Sequence, residues 1–473
     1  MMAEQRTLWT SSEAALATSG EAISEWSASG VSIDTRTLQK GDLFVALHGP
    51  NFDGHEFVDE ALAKGAVAAF VDKNISADKV LKVADTMAGL EDLGRASRAR
   101  SAASIIAVTG SVGKTGSKEA LKLALSEQGE TYASAGSLNN HWGVPLSLSR
   151  MSGQAEFGIF EIGMNHPGEI NPLSRMVRPN VALITTVEAV HSEFFDTDEA
   201  IADAKAEIFA GLIHGGAVVL NRDNRHFLRL HAAARAKGID RIIGFGTWDE
   251  ADFRLLDAVS DNGGTIIRAN LGGALLTYRL AIAGHHWVVN SLGVLAAIAA
   301  AGGNVNDAAE VLGGMEAPAG RGRFHLIHTG AGEVTLIDES YNASPVSMQA
   351  AIEVLGQTAP TGDGQRIAVL GDMLELGSGA AQIHTNLAEV LIREGIDLVF
   401  TAGRDMAYLA DALPPAMRGG HASNTELLLP MVIEALSSGD VIVVKGSAGS
   451  KTGIIVEALL GLDAHSKRTV NGD

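Results

Sequence analysis

The segment Thr109-Gly110-Ser111-Val112-Gly113-Lys114-Thr115 constrains this chain more than any other, because it demands a strand before it, a helix after it and an anion between. An apolar run, Ser104 to Thr109, leads into it, and a helical pattern from Lys118 to Glu127 follows. Gly110 and Gly113 allow the backbone to turn tightly and bring its N–H groups against a phosphate. Lys114 offers a point charge to the β and γ phosphates, Thr115 a hydroxyl to Mg²⁺, and the following helix its positive end. The loop is two residues shorter than the general G-x-x-x-x-G-K-S/T pattern, so the strand–loop–helix context carries the assignment. All seven residues are expected ATP contacts.

The rest of the chain reads as α/β. Its 473 residues suggest roughly three domains at about 150 residues each. Residues 1–100 read as a small mixed α/β domain: a helix-like opening, a buried strand Asp42 to Leu47, a helix near His55 to Lys64 and a strand Ala66 to Asp72. Asp92 to Ser101, rich in Arg, Ser and Ala, reads as a helix end or linker. Residues 101–315 form the central mononucleotide-binding domain. Its strands Phe157 to Ile162, Val181 to Thr186 and Ala217 to Asn221 are nearly continuous in apolar residues, the pattern of a parallel sheet buried on both faces. Glu199 to Leu212 reads as a helix, 251 to 282 as a few antiparallel strands, and His286 to Ala301 as a core helix. Residues 316–473 restart the alternation as a Rossmann-like α/β domain, with strands Val334 to Asp338, Arg366 to Leu370, Leu398 to Ala402 and Val441 to Val444.

Charge and composition exclude several classes. With 36 basic against 56 acidic residues, net −20, no general nucleic-acid surface is expected. A local phosphate site survives this balance, since distant charges are screened beyond about 8 Å. There is no cysteine, hence no disulfide, thiolate metal site or thiol nucleophile. No signal peptide or membrane-length apolar run is visible, and cytoplasm is the default.

A second string, Gly446-Ser-Ala-Gly449-Ser450-Lys451-Thr452, also follows a strand, but its lysine does not follow the glycine directly. It is expected to grip a substrate other than a nucleotide phosphate. Chemistry on phosphate needs a metal, and metal ligands belong at strand ends. Glu161 closes one strand and His191 lies a few residues past another, so both come to the crevice of the phosphate loop. Taken singly, a strand-end Glu161 is at least as often a helix cap or surface charge, and a lone His191 is more often structural. Lys205, on an amphipathic helix, reads by composition as a solvated lysine.

Together these residues resemble the Mur ligases, ATP-dependent amide-bond ligases of bacterial cell-wall peptide synthesis. The likeness rests on 109–115, Glu161-Ile-Gly-Met-Asn-His166, the His191 region, Ala204-Lys205 and Gly284-His-His286 with Asn290. Gly41-Asp-Leu-Phe-Val-Ala-Leu47 with Asp53-Gly-His55, Asp338-Glu-Ser-Tyr-Asn-Ala-Ser-Pro345 and Leu370-Gly-Asp-Met-Leu-Glu-Leu-Gly377 are similar to the member that adds D-alanyl-D-alanine to UDP-N-acetylmuramoyl-tripeptide. The resemblance implies an acyl phosphate made from ATP and the tripeptide carboxylate, then attack by the dipeptide amine. It implies catalytic roles for Lys114, Glu161, His191 and Lys205, and Mg²⁺ held by Thr115, Glu161, His191 and Lys205 as a carbamate. Asn290, Arg323, Asp338 and Glu339 are implied at ATP. Ser32, Thr35, Arg36, Asn139 and Asn140 are implied at the UDP substrate, and Asn342, Ser344, Lys445, Gly446 and Ser447 at the dipeptide. A monomer is expected, with hinges near 101 and 316 that let the outer domains close.

The chain departs from the family's pattern at Glu339, where Asp is more frequent, at Ala448, where an arginine is frequent, and at Asn224, where an acid is usual. Two other readings stay open: a folate-polyglutamate or cyanophycin type of ligase, and a P-loop switch without ligase chemistry. The 41–47 segment disfavours the first. The gathering of Glu161, His191 and Lys205 disfavours the second.

Overall fold

A computed structural model of the chain describes residues 6–189, 193–195, 197–261, 264–330 and 332–470, with side chains to 462. Among the described residues three large sheets follow one another along the chain, beside a small antiparallel pair, Trp9–Thr10 with Ser27–Ala28. The first, of five strands, runs Glu21–Ala22, Val80–Lys82, Ala68–Val71, Asp42–Val45, Gly30–Ser32, parallel except at its first pair. The third, of six strands, runs Arg323–Thr329, Gly332–Glu339, Val441–Lys445, Arg366–Gly371, Leu398–Ala402, Arg418–Ala422, and only its opening hairpin is antiparallel.

The central sheet has nine strands. Its order is Ala274–Leu280, Gly264–Leu271, Phe253–Asp261, Arg241–Gly246, Ala217–Asn221, Val181–Ile184, Ser104–Thr109, Phe157–Glu161, Thr131–Ala133. The first three pair antiparallel and the others parallel. The strand that ends in the phosphate loop thus lies between those ending at Ile184 and Glu161, where the chain crosses from one side of the sheet to the other. Such a switch point opens a crevice at the carboxyl ends of the strands.

Burial explains why these runs are strands. Ile105, Ile106, Ala107 and Val108 are all fully buried, alternate residues entering two different cores on opposite faces. One core is closed by the helix His285–Ala301, whose sequence is apolar nearly all round because it lies between the sheet and two further helices. The other is closed by Gly143–Ser149, Ile170–Val177 and Asp198–Ala206.

Three local expectations sharpen or change. Of the two readings of Asp92 to Ser101 the helix end holds, for the segment closes a 15-residue helix, Thr86–Arg100, whose start is capped by Asp85. Its small residues let it approach Gly143–Ser149 closely, so that a Cβ on Gly94 would come within 3.1 Å of Pro145 O, and Arg98 donates to Val177 O at 2.8 Å. The polar composition that suggested a linker is an interhelix contact. The helix expected from Glu199 to Leu212 tightens into a 3₁₀ turn at Glu207–Gly211. There the Glu207 carboxylate accepts from Gly168 N and Asn171 N. Arg323–Thr329 and Arg418–Ala422 are strands that short, partly polar sequences conceal.

The Asp53-Gly-His55 motif joins the ends of Asp42–Val45 and Ala68–Val71. His55 Nδ1 lies 2.6 Å from Asp53 Oδ1, its Nε2 accepts from Asp72 N at 3.2 Å, and Lys73 pairs with Asp53 and holds that carboxyl well below its usual range. His48, His55 and Asp72 converge, yet these contacts already occupy them.

Leu292, fully buried at the middle of the core helix, reports on this packing. Leu292→Ala should cost about 2–5 kcal/mol, read as an earlier unfolding midpoint in urea.

Candidate active site

The phosphate loop is held from the neighbouring strand end. Thr185 Oγ1 donates to Val112 O at 2.6 Å, Ser111 N donates to Thr186 O at 2.9 Å, and Ser111 Oγ exchanges hydrogen bonds with Glu188 O (3.0 Å) and Glu188 N (2.9 Å). Gly110 has φ 151° and Gly113 φ 84°. A Cβ on Gly110 would lie 2.0 Å from Thr185 Oγ1, and one on Gly113 2.6 Å from Asn290 Nδ2. Glycine is required at both positions by conformation and by space. Asn290, on the core helix, backs the loop. The amides of Val112, Gly113, Lys114 and Thr115 have no hydrogen-bond partner among the described residues, and they open the helix Lys114–Ser126. Free donors at a helix start make an anion site.

Glu161 lies beside the loop, 1% exposed. Thr115 Oγ1 donates to its Oε2 at 2.8 Å, Asn139 Nδ2 to its Oε1 at 2.7 Å, and its own N–H reaches Ser134 Oγ at 3.2 Å. A buried carboxylate touching a hydroxyl supplies the hard oxygen donors that fit Mg²⁺. Lys114 Nζ donates to Gly110 O (2.7 Å) and Ser111 O (3.3 Å). Burial lowers its pKa, Glu161 opposes the shift and Arg321 adds to it.

Lys205 is 2% exposed and has no hydrogen bond or ion pair among the described residues. Burial, reinforced by the charge of Lys114, pushes its pKa well below the ordinary value. Composition suggested a solvated lysine. Instead it sits in the last turn of Asp198–Ala206 and faces inward, because the other face of that helix carries the acids. A buried lysine whose pKa is lowered gives up its proton more readily and becomes a nucleophile, which fits carbamate formation. His191 lies outside the described residues.

A cleft of about 1310 Å³ separates the first sheet from the central one. Thr35 and Arg36 line it, Arg36 paired with Asp34 at 2.6 Å, and Ala135 to Leu138, Trp142 and Arg150 form the facing wall. Ser32 does not line it: the side chain is buried beneath and donates to Asp34 O at 3.1 Å. Asn139 is committed to Glu161, not the cleft, and Asn140 caps the turn into the next helix by accepting from Gly143 N at 2.9 Å.

From the third sheet, Asp338 accepts from Gly320 N (2.8 Å) and Ser340 N (3.1 Å), so it shapes the turns around it. Glu339 pairs with buried Lys445 at 3.1 Å, and Lys445 also donates to Asn342 O at 2.9 Å. Ser344 caps the helix Pro345–Gln357, while Asn342 is exposed. Ser447 Oγ accepts from Leu374 N at 3.0 Å, and Gly446 packs against Gly371. Arg323, the first residue of its strand, turns to surface Glu316 at 2.9 Å, whereas Arg321 lies in the bend before that strand, its charge acting on Lys114. Lys451 of the second glycine string is exposed at φ 56°.

Comparison with known proteins decides among the ligase-like alternatives. Residues 27–104 match the model of the Mur ligase family catalytic domain, 108–301 the Mur ligase middle domain and 322–448 the Mur ligase glutamate ligase domain. The UDP-N-acetylmuramoyl-tripeptide–D-alanyl-D-alanine ligase of Rickettsia prowazekii is 31% identical over 453 residues, covering 95% of this chain and 99% of its own. That of Bacillus subtilis is 34% identical over 91% of this chain and 93% of its own. The crystal structure of MurF from Acinetobacter baumannii superposes with a TM-score of 0.83 at 28% identity, over 96% of this chain and 99% of its own. MurF from Thermotoga maritima, in complex with ADP, gives 0.76 at 26% identity, over 92% and 98%. The chain belongs to the Mur ligase family.

In this Mur ligase several residues escaped the sequence reading. Lys118, one turn after Lys114 on the same helix, is fully buried and donates to Ser134 O and Gly136 O at 2.7 and 2.8 Å. Its spacing of four was the available signal. Asn224, where the family more often has an acid, donates to Thr186 Oγ1 (2.9 Å) and Val187 O (2.8 Å), which a carboxylate cannot do. The contacts of Arg321 and Tyr341 have no local signal, since only the tertiary fold brings Tyr341 to Ser137 and Arg321 over its ring.

Gly113→Ala should weaken ATP binding roughly tenfold, given a strain of about 1–2 kcal/mol at positive φ, measured as the dissociation constant of an ATP analogue. Lys205 supplies a pH test. Its folded pKa lies below the unfolded value near 10.5, so the unfolded chain binds more protons and native stability rises with pH until that value is passed. Lys205→Met should therefore melt above the parent near pH 7 in carbonate-free buffer, with the gap closing toward pH 10.5. Melting below the parent throughout contradicts a lysine whose folded pKa is lowered by burial.

Proposed function

We propose that this enzyme is an ATP-dependent ligase adding D-alanyl-D-alanine to UDP-N-acetylmuramoyl-tripeptide, forming the pentapeptide precursor of peptidoglycan. The observation that carries the reading is the gathering of Lys114, Thr115, Glu161 and Lys205 at one sheet edge beside a large nucleotide-sized cleft. The relatives named above carry that activity in their names.

An acid and an amine at neutral pH form an unreactive salt, so the carboxylate must first become an anhydride. A carboxylate oxygen of the tripeptide attacks the γ-phosphorus of ATP and ADP leaves. The dipeptide amine then attacks the acyl carbon and loses a proton, and the tetrahedral intermediate expels phosphate to leave the amide. Both reactants of the first step are anions, so cations have to screen them. The free amides of Val112 to Thr115 cradle the phosphates, and Lys114 neutralises charge on the transferring group. Thr115 and Glu161 would hold Mg²⁺, with Lys205 as a carbamate and His191 at a second ion. Bound there, Mg²⁺ supplies charge neutralisation between carboxylate and γ-phosphate.

In this reading residues 1–100 and the 135–150 wall take the uridine nucleotide, with Thr35 and Arg36 at its rim. Residues 101–315 bind ATP. Residues 316–473 bring Arg321 toward ATP and present Asn342, with the Lys445–Ser447 turn beneath it, to the dipeptide. No described helix is long and apolar enough to cross a membrane. A cytoplasmic monomer is the reading that fits nucleotide substrates and the expected domain closure.

Purified protein with ATP, Mg²⁺ and UDP-muramoyl tripeptide should release phosphate in proportion to added D-alanyl-D-alanine. Release indifferent to the dipeptide would sink the assignment. Lys114→Ala should lose at least about a hundredfold in kcat, because it removes a charge from the transferring phosphate.

A further inference from the structure

A single side chain bridges the nucleotide cleft and the third sheet. Tyr341 follows the strand Gly332–Glu339 and is 42% exposed, yet its hydroxyl donates to Ser137 Oγ at 2.5 Å across 204 positions of sequence. Ser137 lines the cleft. The guanidinium of Arg321 lies over the ring of Tyr341, 4.0 Å from its centroid. The same charge is near enough to Lys114 to help lower that lysine's pKa.

Both ends of this link are braced. Tyr341 N donates to Gly320 O at 3.1 Å, and Gly320, at φ 74°, packs so tightly that a Cβ would lie 2.8 Å from Tyr341 Cβ. On the far side, the segment holding Ser137 is tied to the phosphate-loop helix through Lys118, bound to Ser134 O and Gly136 O. It is tied again to the carboxylate beside the loop through Asn139 and Glu161. A displacement of the cleft wall therefore reaches the ATP loop by two routes, one inside the central unit and one through Tyr341 and Arg321.

We propose that Tyr341 is a positioning residue: through Ser137 and Arg321 it couples occupancy of the nucleotide cleft to ATP binding at the phosphate loop. The proposal rests on the functional reading above. Its substance is a coupling free energy between two sites, which is reciprocal and measurable without turnover. Nucleotide in the cleft holds the wall that carries Ser137. The hydroxyl then holds the turn that carries Arg321, and Arg321 is already placed when the polyphosphate arrives.

The test measures the dissociation constant of a non-hydrolysable ATP analogue with and without saturating UDP-muramoyl tripeptide. The parent should bind the analogue at least about fivefold more tightly when the tripeptide is present. Tyr341→Phe keeps the ring beneath Arg321 and removes only the hydroxyl. It should leave affinity for the analogue alone unchanged and cut the enhancement to below about twofold. Ser137→Ala should also cut the enhancement, and the double variant should lose no more of it than Tyr341→Phe alone, as expected for two ends of one bond. Both positions are at the surface, so folding is not at stake, and the melting temperature serves as the control. Full enhancement in Tyr341→Phe, or equal loss of affinity with and without tripeptide, overturns the proposal. A parent that binds the analogue but fails to bind the tripeptide overturns the functional reading, and the coupling with it.

Discussion

The site is organised around an electrostatic imbalance. Lys114 and Lys205 bring two potential cations into the same buried region, and Arg321 adds the field of a third. The carboxylate placed among them is Glu161, whose two oxygens are already engaged by Thr115 and Asn139. Unit charges about 4 Å apart interact by several kcal/mol even at an effective dielectric near 20, so such a group cannot stay fully charged without more anions. The depressed pKa of each lysine is the folded protein's response in isolation. Polyphosphate, a substrate carboxylate and a lysine carbamate are the anions the arrangement calls for. The same imbalance that weakens the native state is what binds reactants.

Holding that arrangement falls to the scaffold. The loop cannot relax away from its shape, because Gly110 and Gly113 are pressed against Thr185 and Asn290 and the loop is bonded to the next strand end at three points. The strand beneath is fully buried on both faces, so its end is fixed to the positions of two cores. The helix that follows is anchored by Lys118 to the cleft wall. Preorganised dipoles of this kind need no rearrangement when charge develops in the transition state. The neighbouring sheets then supply what the central one lacks: a cleft on one side, Arg321 and the Lys445 turn on the other.

Legibility in the sequence divides along a physical line. Continuous apolar strands, the phosphate loop and Glu161 at a strand end could be read because each depends on local pattern and on the rule that strand ends share an edge. Lys205 read as solvated by composition, and only the family resemblance placed it at the site. Its burial depends on which face of a short helix meets the core. Arg321 and Arg323 look alike in sequence, but Arg323 opens the strand while Arg321 sits in the bend before Gly322, whose φ of 90° turns the chain. A positive-φ glycine in a run of Gly-Arg-Gly-Arg does not announce which arginine comes near Lys114. Asn139 was assigned to the uridine substrate, but its amide spans to Glu161, a pairing that no spacing reveals. Asp92 to Ser101 reads as a helix end or a linker, and the choice falls to the helix end because its small and polar residues serve close helix contact and not a core. Contacts between sheets, Tyr341 to Ser137 above all, leave no trace in either local segment.

In the proposed reaction these cations bring a carboxylate and a γ-phosphate together, so that one oxygen passes between them. Tripeptide substrate labelled with ¹⁸O in its terminal carboxylate, turned over with ATP and D-alanyl-D-alanine, tests it directly by mass analysis of the released phosphate. The released phosphate should carry a single ¹⁸O from each labelled carboxylate. Unlabelled phosphate alongside full amide formation would contradict it.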